Sequence, residues 1–217
     1  MRCSLSVPCC HPGRVELLKE FNVVVPGVGG QGSLLLSQLI ACAARIEGFE
    51  VQTGETLGMA QRGGSVIGFV RYGKKVYSPL VPDHEAHILI SLEPVEALRS
   101  IRYVGSSTLV LLNTEKKRPL GVLLGQEQYP EVKEIEMTLR SAGAKTFAFN
   151  AVELAERAGN ARSANVCMLG GMAALGSSHI KSESFTKALK EILSEGLLQV
   201  NMQAFNLGYE TISSLIS

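Results

Sequence analysis

Hydrophobic positions along this chain recur with two alternating periods. Asn22-Val23-Val24-Val25-Pro26 is a short continuous apolar run, as expected of a strand buried on both faces. From 31 to 47 the residues Leu35, Leu36, Leu39, Ile40, Ala43 and Ile46 fall at helical spacing, and Gly48 ends the pattern. Phe49 to Thr53 reads as a second strand. Residues 65–72 alternate as a third, with a turn at 72–75 and Val76 to Ser78 returning as a short antiparallel partner. His87–Ser91 and Thr108–Asn113 read as buried strands. A helix from Glu93 to Arg102 lies between them, with Pro94 in its first turn, where a missing N–H costs nothing. Leu120 to Leu124 is a further short strand candidate. Glu131–Ala142 is an amphipathic helix with Val132, Ile135 and Leu139 on one face, and Thr146–Phe149 is the last strand. Helices follow at Ala151–Ala158, 163–176, 182–194 and 197–213.

Strands alternating with helices predict an α/β fold. The expected form is a three-layer αβα, Rossmann-like domain with a mostly parallel sheet, one or more antiparallel strands and C-terminal helices. The unit from 21 to 53 implies a right-handed crossover between parallel strands. Residues 1–20 form a tail, with one or two helical turns possible from Arg14. Residues 21–217 form one domain, since no linker divides them.

Composition narrows the function classes. A formal net charge of +1 with no basic stripe gives no reason to expect nucleic acid or an anionic membrane surface. No apolar run approaches the ~18 residues needed to span a bilayer, and Pro8 and Pro12 interrupt the N-terminus before any signal-like run develops. The five cysteines include no Cys-x-x-Cys, so neither a cluster nor a structural zinc site is expected, and their odd number fits a reducing cytosol. Cys42 and Cys167 lie in apolar helical stretches and read as buried thiols. The four histidines, His11, His84, His87 and His179, lack partners at metal-ligand spacing and read as surface or structural residues.

Two glycine-rich stretches carry the candidate chemistry. Gly27-Val28-Gly29-Gly30-Gln31-Gly32 satisfies G-x-G-x-x-G between a strand and a helix. Backbone N–H groups at the helix start favour an anion such as a pyrophosphate. Alternatively, the glycines can serve only to pack the helix tightly on the sheet. Glu55 stands near the place of a ribose-binding acid, though a little late. Gly58-Met59-Ala60-Gln61-Arg62-Gly63-Gly64-Ser65 pairs a cation and an amide with two glycines at a strand entrance. Arg62 could clamp a phosphate or carboxylate there, or sit solvated in a turn. The two loops can share a site only if the strand that starts at Ser65 runs opposite to the first strand. Asn165 and Asn201 are polar on apolar helical faces, and tethering a loop is favoured over ligand contact for both. No complete catalytic set is encoded.

Together these motifs resemble the γ-type domain of 2-oxoacid:ferredoxin oxidoreductases, and within that family the small subunits of the indolepyruvate branch. Further matching segments are Ser78-Pro79-Leu80-Val81-Pro82, Glu93-Pro94-Val95-Glu96-Ala97-Leu98, Glu153-Leu154-Ala155, Gly159-Asn160, the Asn165 helix, and Asn201 to Tyr209. The resemblance spans about Phe21 to Tyr209. It implies a cytoplasmic subunit, not catalytic alone, of an enzyme that decarboxylates a 2-oxoacid, with an arylpyruvate such as indolepyruvate as the implied substrate. It further implies a larger catalytic subunit carrying thiamine diphosphate and 4Fe–4S clusters, coenzyme A as acyl acceptor, and ferredoxin as electron acceptor. The residues read as candidates near cofactor or substrate are Gly27, Gly29, Gly30, Gln31, Gly32, Glu55, Met59, Gln61, Arg62, Gly63, Gly64, Ser65 and Asn165. Relatives usually carry histidine where this chain has Leu57, which can neither titrate nor hydrogen-bond. Two other readings stay open: a free-standing dinucleotide-binding reductase, supported by G-x-G-x-x-G alone, and a non-catalytic ligand-binding or assembly module on the same fold.

Overall fold

A computed structural model of the chain describes residues 19–57, 64–116 and 129–217. Its centre is β1, Glu20–Val28, buried from Phe21 onward. Side chains along a strand alternate between faces. Val23 and Val25 accordingly join one apolar cluster while Val24 joins another on the opposite side. The chain continues as α1 (Ser33–Ile46), β2 (Glu50–Leu57), β3 (Ser65–Gly73), β4 (Ala86–Ser91), α2 (Pro94–Arg99) and β5 (Val104–Asn113). After residues 117–128, which lie outside the described residues, come α3 (Val132–Ser141), β6 (Lys145–Phe149), α4 (Ala151–Arg157), α5 (Ala164–Leu175), α6 (Ser182–Ile192) and α7 (Glu195–Ile216). No described helix is long and apolar enough to cross a membrane. The Leu120–Leu124 strand candidate and the helical turns from Arg14 lie outside the described residues.

The sheet has six strands in the order β2-β3-β1-β4-β5-β6. β1, β4, β5 and β6 pair in parallel. β3 is the antiparallel strand, and it pairs with β1 on one side (Val24 opposite Phe69) and β2 on the other (Thr53 opposite Val70). This revises the expected crossover. β1 and β2 point the same way, but β3 stands between them, because the β2–β3 hairpin pairs along its whole length, from Glu50 opposite Gly73 to Leu57 opposite Val66. Gly68 lets α1 lie close on the inserted strand, since a Cβ there would overlap the Ser37 hydroxyl. The return strand expected at Val76–Ser78 is absent. With both edges of β3 already paired, a third partner has no ladder left to join.

The helices α1 and α4 to α7 cover one face of the sheet, around Leu36, Leu39, Val166, Met168 and Phe205. On the other face lie α2 and α3, around Val95, Ala97, Ile135 and Leu139. The α5 segment is apolar nearly all round and buried from Asn165 to Ala173, as expected of a helix in the core. Burial pushes the Cys167 thiol up to about 12, so this thiol is inert rather than reactive.

At the other end of β1 the ladder to β4 is completed by a side chain. The Asn22 backbone N–H donates to Nδ1 of His87 at 3.0 Å, and the His87 ring stacks on Phe21 with centroids 4.6 Å apart. This bond needs a neutral imidazole. Burial holds the His87 pKa below its ordinary 6.5, a tendency that the Glu85 carboxylate opposes and His179 reinforces. A lowered folded-state pKa means that the unfolded chain binds more protons just below pH 6.5, so stability falls as pH drops through that value. Thermal unfolding between pH 7.5 and 5.5 is expected to show this decline, with a shallower slope in His87→Leu.

Candidate functional site

The carboxyl ends of β1, β4 and β5 converge on a crevice of about 450 Å³. From β1 the chain turns onto one face through α1, toward β2. From β4 it turns onto the other through α2, toward β5. In open α/β sheets such a divergence between neighbouring parallel strands leaves a ligand-binding gap. Gly30, Gln31 and Gly32 form one wall, Asn113 to Lys116 another, and Arg162 and Asn165 a third, with Leu92 between them.

The glycine turn is built for close approach. Gly27 ends up within β1, opposite Val66, so the loop proper is Gly29 to Gly32. Gly30 and Gly32 take positive φ of 95° and 82°, and Gly32 is the N-cap of α1 without offering it a side chain. The first-turn N–H groups of α1 therefore face a gap that no capping side chain fills, which favours an anion. A Cβ on Gly32 would come within 2.6 Å of the Asn165 amide nitrogen.

Three amides hold this frame. Gln31 accepts from the Val28 N–H at 2.7 Å and donates to the Leu92 carbonyl at 2.9 Å. Asn165, 2% exposed, donates to the Gly32 carbonyl at 3.1 Å, so it tethers the loop while also lining the crevice. Asn113 donates to the same Leu92 carbonyl at 3.0 Å and accepts from Ala151 N–H at 3.0 Å and Glu115 N–H at 3.3 Å. The ends of β1, β4 and β5 are thus joined at one carbonyl. Asn201, by contrast, donates to Leu197 of its own helix and tethers no loop.

The described end of the second glycine stretch, Gly64-Ser65, meets the first. Met59, Gln61, Arg62 and Gly63 lie outside the described residues. Their flanks, Leu57 at the end of β2 and Gly64 before β3, stand at the sheet edge where β1 ends. The Gly29 N–H donates to the Gly64 carbonyl at 2.9 Å, and Ser65 opens β3 opposite Val28. The strand direction required for a shared site is the one observed. Glu55 is not brought in: it is exposed on the edge strand β2, with β3 separating it from the glycine turn.

Asn113, Lys116 and Arg162 join the crevice without having been singled out in the sequence. For Asn113 and Lys116 the available signal was positional, because residues at and just past the end of a buried parallel strand line such crevices, whereas Arg162, in the turn before α5, carried none. Lys116 pairs with Glu131 at 3.2 Å on the surface, a contact too exposed to neutralise it firmly. Two cations and an uncapped helix start against Glu115 give the crevice an anion-binding character.

A sheet with this switch point and a glycine-built, amide-braced crevice defines an α/β domain with a candidate ligand site at the switch point. The family model for pyruvate ferredoxin/flavodoxin oxidoreductase matches residues 22–211, and the chain belongs to that family. It is 43% identical over 190 residues to the indolepyruvate oxidoreductase subunit IorB of Archaeoglobus fulgidus, covering 88% of this chain and 94% of that one. To the same subunit of Thermococcus kodakarensis it is 37% identical over 200 residues, covering 92% and 99%. Its fold matches the crystal structure of the keto/oxoacid ferredoxin oxidoreductase gamma subunit from Geobacter sulfurreducens, with TM-score 0.68, 22% identity, and coverage of 89% of this chain and 99% of that one. It also matches 31% of a chain of 2-oxoglutarate:ferredoxin oxidoreductase from Magnetococcus marinus, solved with 2-oxoglutarate, coenzyme A and succinyl-CoA bound. There the TM-score is 0.68, with 20% identity over 90% of this chain.

Proposed function

We propose that this chain is the smaller subunit of a 2-oxoacid:ferredoxin oxidoreductase that acts on indolepyruvate or a similar arylpyruvate. The observation that carries the reading is similarity over nearly the whole length of both chains to subunits named for indolepyruvate oxidoreductase. In this account a larger subunit holds thiamine diphosphate and the iron–sulfur clusters and passes electrons to ferredoxin, in the cytoplasm. Thiamine diphosphate supplies the decarboxylation chemistry, and coenzyme A takes up the acyl group.

The part assigned to this chain is binding and orientation. The substrate is a carboxylate and coenzyme A carries phosphates, so each presents an anion. The first-turn N–H groups of α1, Lys116 and Arg162 suit such a group, while Gln31, Asn113 and Asn165 keep the donors in place without adding charge. A phosphate of coenzyme A is the assignment that uses all the donors together. In the same account Met59, Gln61, Arg62, Gly63, Gly64 and Ser65 take part in recognising the anionic substrate or cofactor of the assembled complex. A free-standing NAD-dependent reductase would need a ribose-binding acid beside the glycine turn, and Glu55 lies two strands from β1. Turnover by the two-chain complex, set against each chain alone and against this chain with NADH, tests the proposal.

A further inference from the structure

Two glutamates not yet assigned a part come just after Leu92, which lines the crevice. Glu93 and Glu96, at the start of α2, are both fully buried. Burying carboxylates is poor economy for stability alone, since apolar residues fill such space at less cost. Burial accordingly raises the Glu93 pKa, although bonds from Tyr129 and the backbone oppose this. Each carboxyl is tied on both sides. Glu93 caps α2 by accepting from the Glu96 N–H at 3.1 Å, and its other oxygen accepts from the Tyr129 hydroxyl. Glu96 pairs with Arg99 at 2.6 Å, and its other oxygen accepts from the Ser65 hydroxyl.

The two outward bonds lead to different walls. Ser65 follows Gly64, whose carbonyl holds the Gly29 N–H, and Ser65 faces Val28, whose N–H is held by Gln31. The Tyr129 ring lies under the Lys116 ammonium, 5.3 Å from its centroid, and Lys116 lines another wall. Leu92, whose carbonyl joins the strand ends, immediately precedes Glu93. We propose that Glu96 and Glu93 are positioning residues that separately set two of the three walls of the crevice. Glu96 sets the glycine turn through Ser65, and Glu93 sets the Lys116 segment through Tyr129. Because both carboxyls start from one turn of α2, that helix fixes the gap between the walls. The inference deepens the reading of the crevice as a ligand site and rests on it.

The test uses the two-subunit complex with Ser65→Ala and Tyr129→Phe, which remove the far end of each link and leave the buried carboxyls in place. Backbone hydrogen exchange is read in peptides spanning 27–34 and 110–116. Loss of one such bond is expected to speed exchange about fivefold in the matching peptide alone: the first in Ser65→Ala, the second in Tyr129→Phe. Glu93→Gln can still accept at one partner and donate at the other, so it should behave as the parent does. Glu93→Ala should follow Tyr129→Phe. If both peptides move together in every variant, or neither moves, the proposal is overturned. Ser65→Ala, Tyr129→Phe and Glu93→Ala should each also raise KM for coenzyme A several-fold with kcat little altered, and Glu93→Gln should not. Wall-specific exchange with an unchanged KM would uphold the positioning and refute coenzyme A as the ligand.

Discussion

Gly208→Ala is expected to unfold the chain or to expel its C-terminal helix. Helices α5 and α7 cross with their backbones in contact. A Cβ on Gly208 would overlap the Cys167 carbonyl, and one on Gly170 would overlap the carbonyl of Phe205. Backbone atoms cannot change rotamer to make room, so the helices themselves must separate. Alanine is otherwise favoured over glycine in a helix by about 1 kcal/mol, so these glycines are tolerated for the close approach they allow. Separating the helices would loosen the cluster of Cys167, Met168, Phe205 and Ile212, all buried. A loss above about 4 kcal/mol is expected, a large share of the 5–15 kcal/mol that holds a typical domain together. Gly196→Ala on the same helix, where a new methyl meets nothing within 4 Å, should leave the unfolding midpoint unchanged or slightly higher. Denaturant unfolding of the three proteins measures the difference.

Gly32→Ala should leave a folded chain whose complex turns over on the order of tenfold or more slowly. Two effects add. A residue with a Cβ at φ 82° pays roughly 1–2 kcal/mol in backbone strain. The methyl also pushes on the Asn165 amide, which holds the turn through the Gly32 carbonyl. Donor groups displaced by even 1 Å lose much of their effect on a bound anion. Gly176→Ala separates strain from site. Gly176 also has positive φ, 66°, with open space around it at the end of α5. It should cost similar stability while the assembled enzyme keeps its rate. Steady-state turnover of both complexes, beside their melting curves, checks the pair.

The layers of the fold were legible because burial writes itself into periodicity. The apolar run of β1, the helical spacing of α1 and the capped amphipathic α3 each appear close to where the sequence indicated them. The place of β3 was not legible. Nothing in Ser65–Gly73 says that it will enter between β1 and β2, because that depends on hairpin pairing and on α1 settling over Gly68. The site divides the same way. The glycine turn carries its own signal, since positive φ and close approach both call for glycine. Asn113 and Arg162 do not, because they are ordinary polar residues that matter only once strands and helices bring them to one crevice. Glu93 and Glu96 read as a helix start, and their burial comes from the sheet above them.

The central claim is that this chain works as one half of an enzyme, and the direct measurement is reconstitution. The chain would be produced with and without the larger subunit. Each preparation would be supplied with indolepyruvate, coenzyme A and oxidised ferredoxin, and ferredoxin reduction followed by absorbance. The account predicts reduction by the complex, dependent on both oxoacid and coenzyme A, and none by either chain alone or by this chain with NADH. Full activity of the larger subunit without this chain, or oxidation of NADH by this chain alone, would contradict it.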